Sequence, residues 1–125
     1  MPGIKKRLLI VEDDPNLMDL MLDFCDEIDV SPIPAVDGAS ALQKAESEKP
    51  DAITVDFRLP DMTGIDVITR LKGNANVAGI PLILLSADAK IHEGEAKSLG
   101  AFGVLMKPVS PVALRAMLED CLGDW

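Results

Sequence analysis

The sequence predicts an open parallel α/β sheet with helices covering both faces, and three observations lead there. Short apolar runs recur at residues 8–11, 52–55, 82–85 and 102–106, with a weaker run at 30–36. A stretch of helical periodicity follows each of them, and alternation of this kind builds a helix-covered parallel sheet. The segments between periodic stretches are short, without repeats, low-complexity tracts or linkers, so the 125 residues read as one domain over 1–125 with a core of about 7–122.

The elements follow in order. After the first run, Asp14-Pro15 supplies an N-cap and a proline at the first helical position, and Leu17, Met21, Phe24 and Cys25 form an apolar stripe. The weak run contains Pro32 and Pro34, which cannot donate to a sheet ladder, so this strand belongs at an edge. The run Ala52-Ile53-Thr54-Val55 takes the centre of the sheet, and Pro60 and Gly64 fix the turn into the third helix. Between 89 and 99, Lys90, His92, Glu93, Glu95 and Lys97 leave only Ile91, Ala96 and Leu99 to pack, so that helix is weakly held. Ser110-Pro111 opens the last helix, whose stripe is Leu114, Met117, Leu118 and Cys121. Met18, Met21 and Met117 read as core packing.

Composition narrows the function. Twelve basic against 21 acidic residues give a net charge of −9, which opposes unaided binding to nucleic acid or anionic membrane, both polyanions. A cation or a protein partner fits better. At this length folding buries roughly two-thirds of the unfolded surface, enough for a core without disulfides or structural metal. Cys25 and Cys121 lie in no CxxC or Cys/His pattern and read as buried free thiols. No apolar run approaches the roughly 18 residues of a membrane helix, and the start through Arg7 leads into only four apolar residues, too few for a signal peptide. The expected location is cytoplasmic and reducing, with no membrane insertion.

Four of the five runs end in a polar residue: Glu12-Asp13, Asp56, Ser86 and Lys107. In an open parallel sheet, ligands bind beyond the carboxyl ends of the strands, where these residues converge. Three carboxylates brought together repel unless they take up protons or hold a divalent cation. A hard oxygen cage with few ligands suits Mg²⁺, and Lys107 and Ser86 supply a positive charge and a hydroxyl donor to a phosphoryl group. A carboxylate beside a bound metal acts as a nucleophile on phosphorus, and Asp56, at the end of the central run, is best placed for it. For Asp14 a simple helix cap is the better reading.

With these residues in view the chain resembles the response-regulator receiver domains of two-component signalling. The resemblance spans residue 8 to about 122 and rests on Val11-Glu12-Asp13-Asp14-Pro15, Asp56-Phe57-Arg58-Leu59-Pro60-Asp61-Met62-Thr63-Gly64, Leu85-Ser86-Ala87 and Met106-Lys107-Pro108, in this order and spacing. It implies a flavodoxin-like, doubly wound five-stranded sheet in the order 2-1-3-4-5 with five helices. Asp56 matches the phosphoacceptor, served by a histidine kinase or histidine phosphotransfer protein. Glu12 and Asp13 match the acidic pair for Mg²⁺, or Mn²⁺ in its place, and the main-chain carbonyl of Arg58 matches the remaining protein ligand. Ser86 matches the hydroxyl that moves to the phosphoryl group, and Lys107 the lysine that pairs with it, before a cis bond to Pro108.

The implied switch is local charge. Glu12, Asp13 and Asp56 with Lys107 sum to −2, a divalent cation brings this near zero, and phosphorylation adds roughly −1. Ser86 and Lys107 reach the new oxygens when the loop after the fourth strand closes inward, biasing the weakly held helix behind it. A downstream protein target reads the change, and the fourth helix, fifth strand and fifth helix form the face where the family pairs. The length leads to the expectation of a receiver acting by itself, without a DNA-binding or catalytic output domain and without substrate turnover. The alternative is a phosphorelay intermediate or phosphate sink that returns the group to a histidine phosphotransfer protein.

Several residues depart from the family pattern. Val104 stands three positions before Lys107, where an aromatic is common, and Phe102 is a poor substitute. Arg58 and Asp88 are expected to face each other across the mouth of the site, as an ion pair or as two solvated side chains. His92, the only histidine, reads as a surface residue, and without a partner histidine it excludes a phosphohistidine donor within this chain. Trp125 reads as a frayed tail or an interface residue. An aspartate-nucleophile phosphatase needs a second aspartate where Arg58 stands, and a flavin carrier needs a hydroxyl- and glycine-rich loop where Glu12-Asp13-Asp14 stands.

Overall fold

Five parallel strands and five helices alternate in a computed structural model that describes residues 5–123: β1 (Arg7–Val11), α1 (Pro15–Glu27), β2 (Ser31–Ala35), α2 (Gly38–Glu48), β3 (Ala52–Asp56), α3 (Gly64–Lys72), β4 (Leu82–Ser86), α4 (Ala89–Ser98), β5 (Gly103–Met106) and α5 (Pro111–Leu122). The sheet order is β2-β1-β3-β4-β5, with β3 in the middle and every pair parallel. This is the flavodoxin-like order expected above. Trp125 lies outside the described residues.

Side-chain alternation divides the core in two. Leu9, Val11, Ile53, Val55, Leu82 and Leu84 face α2, α3 and α4, whereas Leu8, Ile10, Ile83 and Leu85 face α1 and α5. β3 and β4 are buried along their whole length because helices cover both faces. A fully buried Leu or Ile side chain contributes about 1.5–3 kcal/mol, so these strands anchor whatever sits at their ends. β2 runs along the edge. Ser31 N–H donates to the Lys6 carbonyl, so residues 31, 33 and 35 face β1 while Pro32 and Pro34 take the outward positions, where a missing N–H costs nothing.

The helix starts behave as read from sequence. Asp14 caps α1 by accepting from the Asn16 N–H, and Ser110 caps α5 by accepting from the Ala113 N–H. Buried Met18, Met21 and Cys25 carry the inner face of α1; Leu114 and Leu118, flanked by half-buried Met117 and Cys121, carry that of α5. Both cysteines are free thiols, but only Cys25 is fully buried. Among the described residues no helix is long and apolar enough to cross a membrane.

The α4 helix needs a correction. Its buried residues are Ala89 and Ala96, and Ile91 is 75% exposed. The inward stripe is therefore Ala89, His92, Ala96 and Leu99, spaced three and four apart, which turns Ile91 outward. The Asp88 side chain makes no capping bond to this helix, so it is held by little, as its composition suggested.

Candidate functional site

Each polar strand end is positioned by the backbone of the strand before it. Glu12 follows β1, and its N–H donates to the Ala35 carbonyl. Its side chain is only 2% exposed: Oε2 accepts from the Asp14 N–H at 3.1 Å, and Oε1 has no hydrogen-bond partner although Lys107 Nζ stands 3.6 Å away. Burial pushes the Glu12 carboxyl up to about 7, and the neighbouring Asp56 adds to the rise against the opposing pull of the Asp14 N–H and Lys107.

Asp56 ends the central strand and is 5% exposed. Lys107 Nζ donates to its Oδ2 at 2.7 Å, and the Arg58 N–H donates to its Oδ1 at 3.3 Å. Two constraints set that geometry. Lys107 N–H donates to the Ser86 carbonyl, tying the end of β5 to that of β4, and the Lys107–Pro108 bond is cis as expected. On the other side Gly64 N–H donates to the Phe57 carbonyl at 2.7 Å, and a Cβ at Gly64 would stand 2.7 Å from the Asp56 carbonyl oxygen. Only glycine allows α3 to start this close to the acceptor strand.

Glu12, Asp13 and Asp56 each offer a carboxylate oxygen, all within 4.8 Å of one another, with Asp13 exposed at the rim. One lysine faces three carboxylates, and the buried Glu12 Oε1 is left without a donor. A hard divalent cation satisfies that oxygen and offsets the excess charge, so the donor set fits Mg²⁺.

Ser86, 3% exposed, lines a cavity of about 80 Å³ together with Asp56, Lys107, Arg58 and Asp88. Arg58 and Asp88 do flank its mouth, both exposed, but no ion pair joins them among the described residues; the solvated alternative holds. Val104 is half-buried against the core on the α4 side, and Phe102 lies before β5, 42% exposed.

Besides Ile91, sequence reasoning misplaced His92. It is half-buried and shares a hydrogen bond of 2.8 Å between Nδ1 and Ser86 Oγ, and its ring stacks on Phe57 with centroids 3.8 Å apart and 12° between planes. The reading of a solvated surface residue treated the charged helix as featureless. The signal that could have found it is the Ala89/His92/Ala96 spacing, which puts the imidazole on the inward face of α4, one turn from Ser86.

The family model of the response regulator receiver domain matches residues 8–119. Among curated relatives, the alkaline phosphatase synthesis transcriptional regulatory protein PhoP of Bacillus subtilis is 32% identical over 120 residues, covering 95% of this chain and 49% of that protein. The polar-differentiation response regulator DivK of Brucella anthropi is 31% identical over 120 residues, covering 95% and 98%. The chain thus spans about half of the first relative and nearly all of the second. Among solved structures, the receiver domain of a sensor histidine kinase from Pseudomonas aeruginosa, with a magnesium ion coordinated in its active-site cleft, is 25% identical with a TM-score of 0.88, covering 97% of this chain and all of that one.

Proposed function

The chain belongs to the response regulator receiver domain family, and on that premise we propose that Asp56 is the phosphoacceptor of a signalling switch. One observation carries the reading: a carboxylate at the end of the central strand is held between the Lys107 ammonium and the Arg58 N–H, beside two further carboxylates. Lys107 and the amide fix the oxygens of Asp56 and keep it aimed into the cavity. An oxygen of Asp56 bonds to phosphorus as the P–N bond of a donor phosphohistidine breaks, and the electron pair leaves with the imidazole nitrogen. The donor is a histidine kinase or histidine phosphotransfer protein.

Glu12, Asp13, Asp56 and the main-chain carbonyl of Arg58 are the proposed protein ligands of Mg²⁺, which offsets charge on the carboxylates and the incoming phosphoryl oxygens. The Phe57 carbonyl takes the bond that closes the loop into α3, so closure does not consume the Arg58 carbonyl. Once Asp56 is modified, Lys107 and the Ser86 hydroxyl are the donors for the new oxygens. The protein acts in the cytoplasm as a switch for a partner and turns over no separate substrate.

Exposed apolar side chains favour partner binding over a pure relay. Ile91 on α4, Met106 on β5 and Val112 on α5 are 75%, 53% and 79% exposed, on the three elements expected to carry the output or self-pairing face. The test is Mg²⁺-dependent labelling with acetyl phosphate: the wild type acquires one base-labile, hydroxylamine-labile phosphoryl group and Asp56→Asn acquires none. Equal labelling of both overturns the assignment.

A further inference from the structure

The Ser86 hydroxyl has one proton to give. Its oxygen accepts from the Asp88 N–H at 2.9 Å and meets His92 Nδ1 at 2.8 Å, and among the described residues it makes no hydrogen bond to Asp56. The oxygen keeps a second lone pair beside the one taken by Asp88, so the tautomer sets the direction of the Nδ1 contact; in the neutral tautomer that carries its hydrogen on Nε2, Ser86 donates its proton to a bare Nδ1. The imidazole is held from its other side by the stack on Phe57, the residue next to Asp56. Phe57 is itself fixed to β4, since its N–H donates to the Leu85 carbonyl. In that tautomer, the state on which the latch rests, the hydroxyl is committed elsewhere while Asp56 is unmodified.

We propose that His92 is a latch on Ser86: a positioning residue that holds the hydroxyl toward α4 and must release it before Ser86 can donate to a phosphoryl oxygen on Asp56. The inference rests on the assignment of Asp56 as phosphoacceptor. A single O–H cannot serve Nδ1 and a phosphoryl oxygen together, so the two states exclude each other, and the exchange reports on the helix. α4 has no side-chain cap from Asp88 and buries only Ala89 and Ala96, so the His92 bond and stack are a large share of what fixes its first turn. Breaking the bond frees that turn, which links the chemistry at Asp56 to the face that carries Ile91.

The test uses beryllofluoride with Mg²⁺ as a phosphoryl mimic, read by affinity and by the ring ¹⁵N resonances of His92. In the wild type, saturation shifts the Nδ1 resonance as its hydrogen bond is lost, while Asp56→Asn shows neither binding nor shift. His92→Phe keeps a ring on Phe57 but no acceptor, so it binds the mimic about two- to tenfold more tightly, the factor that loss of one neutral hydrogen bond gives. His92→Gln restores an acceptor and returns the affinity toward wild type, and in a Ser86→Ala background His92→Phe has no effect. If the wild type binds but Nδ1 does not move, or the gain persists without Ser86, the latch is wrong while the assignment of Asp56 stands. If the wild type does not bind, the assignment fails and the latch with it. The resonance reading needs no variant, so a substitution that failed to fold would not shield the proposal.

Discussion

Replacing Glu12 by Gln probes the strain at the centre of the site. In the metal-free protein the Glu12 carboxyl is raised from its ordinary 4.5 to about 7, first by burial and then by Asp56. At about 1.4 kcal/mol per factor of ten, ionising it in the fold costs up to roughly 3 kcal/mol more than in the unfolded chain. The native state thus keeps a proton that the unfolded state has lost between about pH 4.5 and 7. Stability from this group is fully present below the lower value and is lost as pH rises through the upper one. Glu12→Gln keeps an oxygen for the Asp14 N–H and cannot ionise. In urea melts followed by circular dichroism with EDTA present, the variant gains about 1–3 kcal/mol over the wild type at pH 8 and close to nothing at pH 4.5. Added Mg²⁺ narrows the gap at pH 8, because the wild type gains more from the cation. A constant difference across pH 4.5 to 8 would refute the claim that Glu12 is a buried, strained carboxylate.

Three further substitutions probe the scaffold. Thr54 is fully buried in β3 and its hydroxyl has no hydrogen-bond partner, so Thr54→Val should gain about 1 kcal/mol, seen as a higher urea midpoint at unchanged slope; a loss would mean the hydroxyl is satisfied. Gly64→Ala would put a methyl 2.6 Å from Leu84 Cδ1 and 2.7 Å from the Asp56 carbonyl oxygen, costing about 1–3 kcal/mol and slowing acetyl phosphate labelling; wild-type behaviour in both assays would show that α3 can back away. Asp61 accepts from the Gly38 and Ala39 N–H groups at 2.8 and 2.9 Å, and these bonds hold its carboxyl below the usual range. Asp61→Ala should speed hydrogen exchange at those two amides, and unchanged exchange would show that the bridge does not hold the start of α2.

Much of the site was legible because it depends on strand termini. A buried strand is a short apolar run, and the residue after it sits at the end of the sheet whatever the neighbouring packing does, so Glu12, Asp56, Ser86 and Lys107 could be placed together from sequence. Pro32 and Pro34 fixed the edge in the same direct way, through a missing N–H. α4 was harder. Charge dominates its composition, and the choice of which side turns inward depends on Ala89 and His92, whose burial no hydropathy pattern announces. Of the three residues read as packing, Ala96 and Leu99 do face the core, whereas Ile91 turns outward and Ala89 and His92 complete the inward face.

Sequence by itself determined the order of elements, the edge strand and the set of polar groups at the strand ends, because each follows from local periodicity or from one residue's covalent chemistry. Tertiary structure alone decided how those groups satisfy one another. Lys107 goes to Asp56 before Glu12, Glu12 Oε1 is left without a donor, Arg58 and Asp88 form no ion pair among the described residues, and the Ser86 hydroxyl meets His92. The physical reason is range: periodicity is encoded over a few neighbouring residues, whereas a hydrogen bond forms or fails over a few tenths of an ångström between side chains brought together by packing.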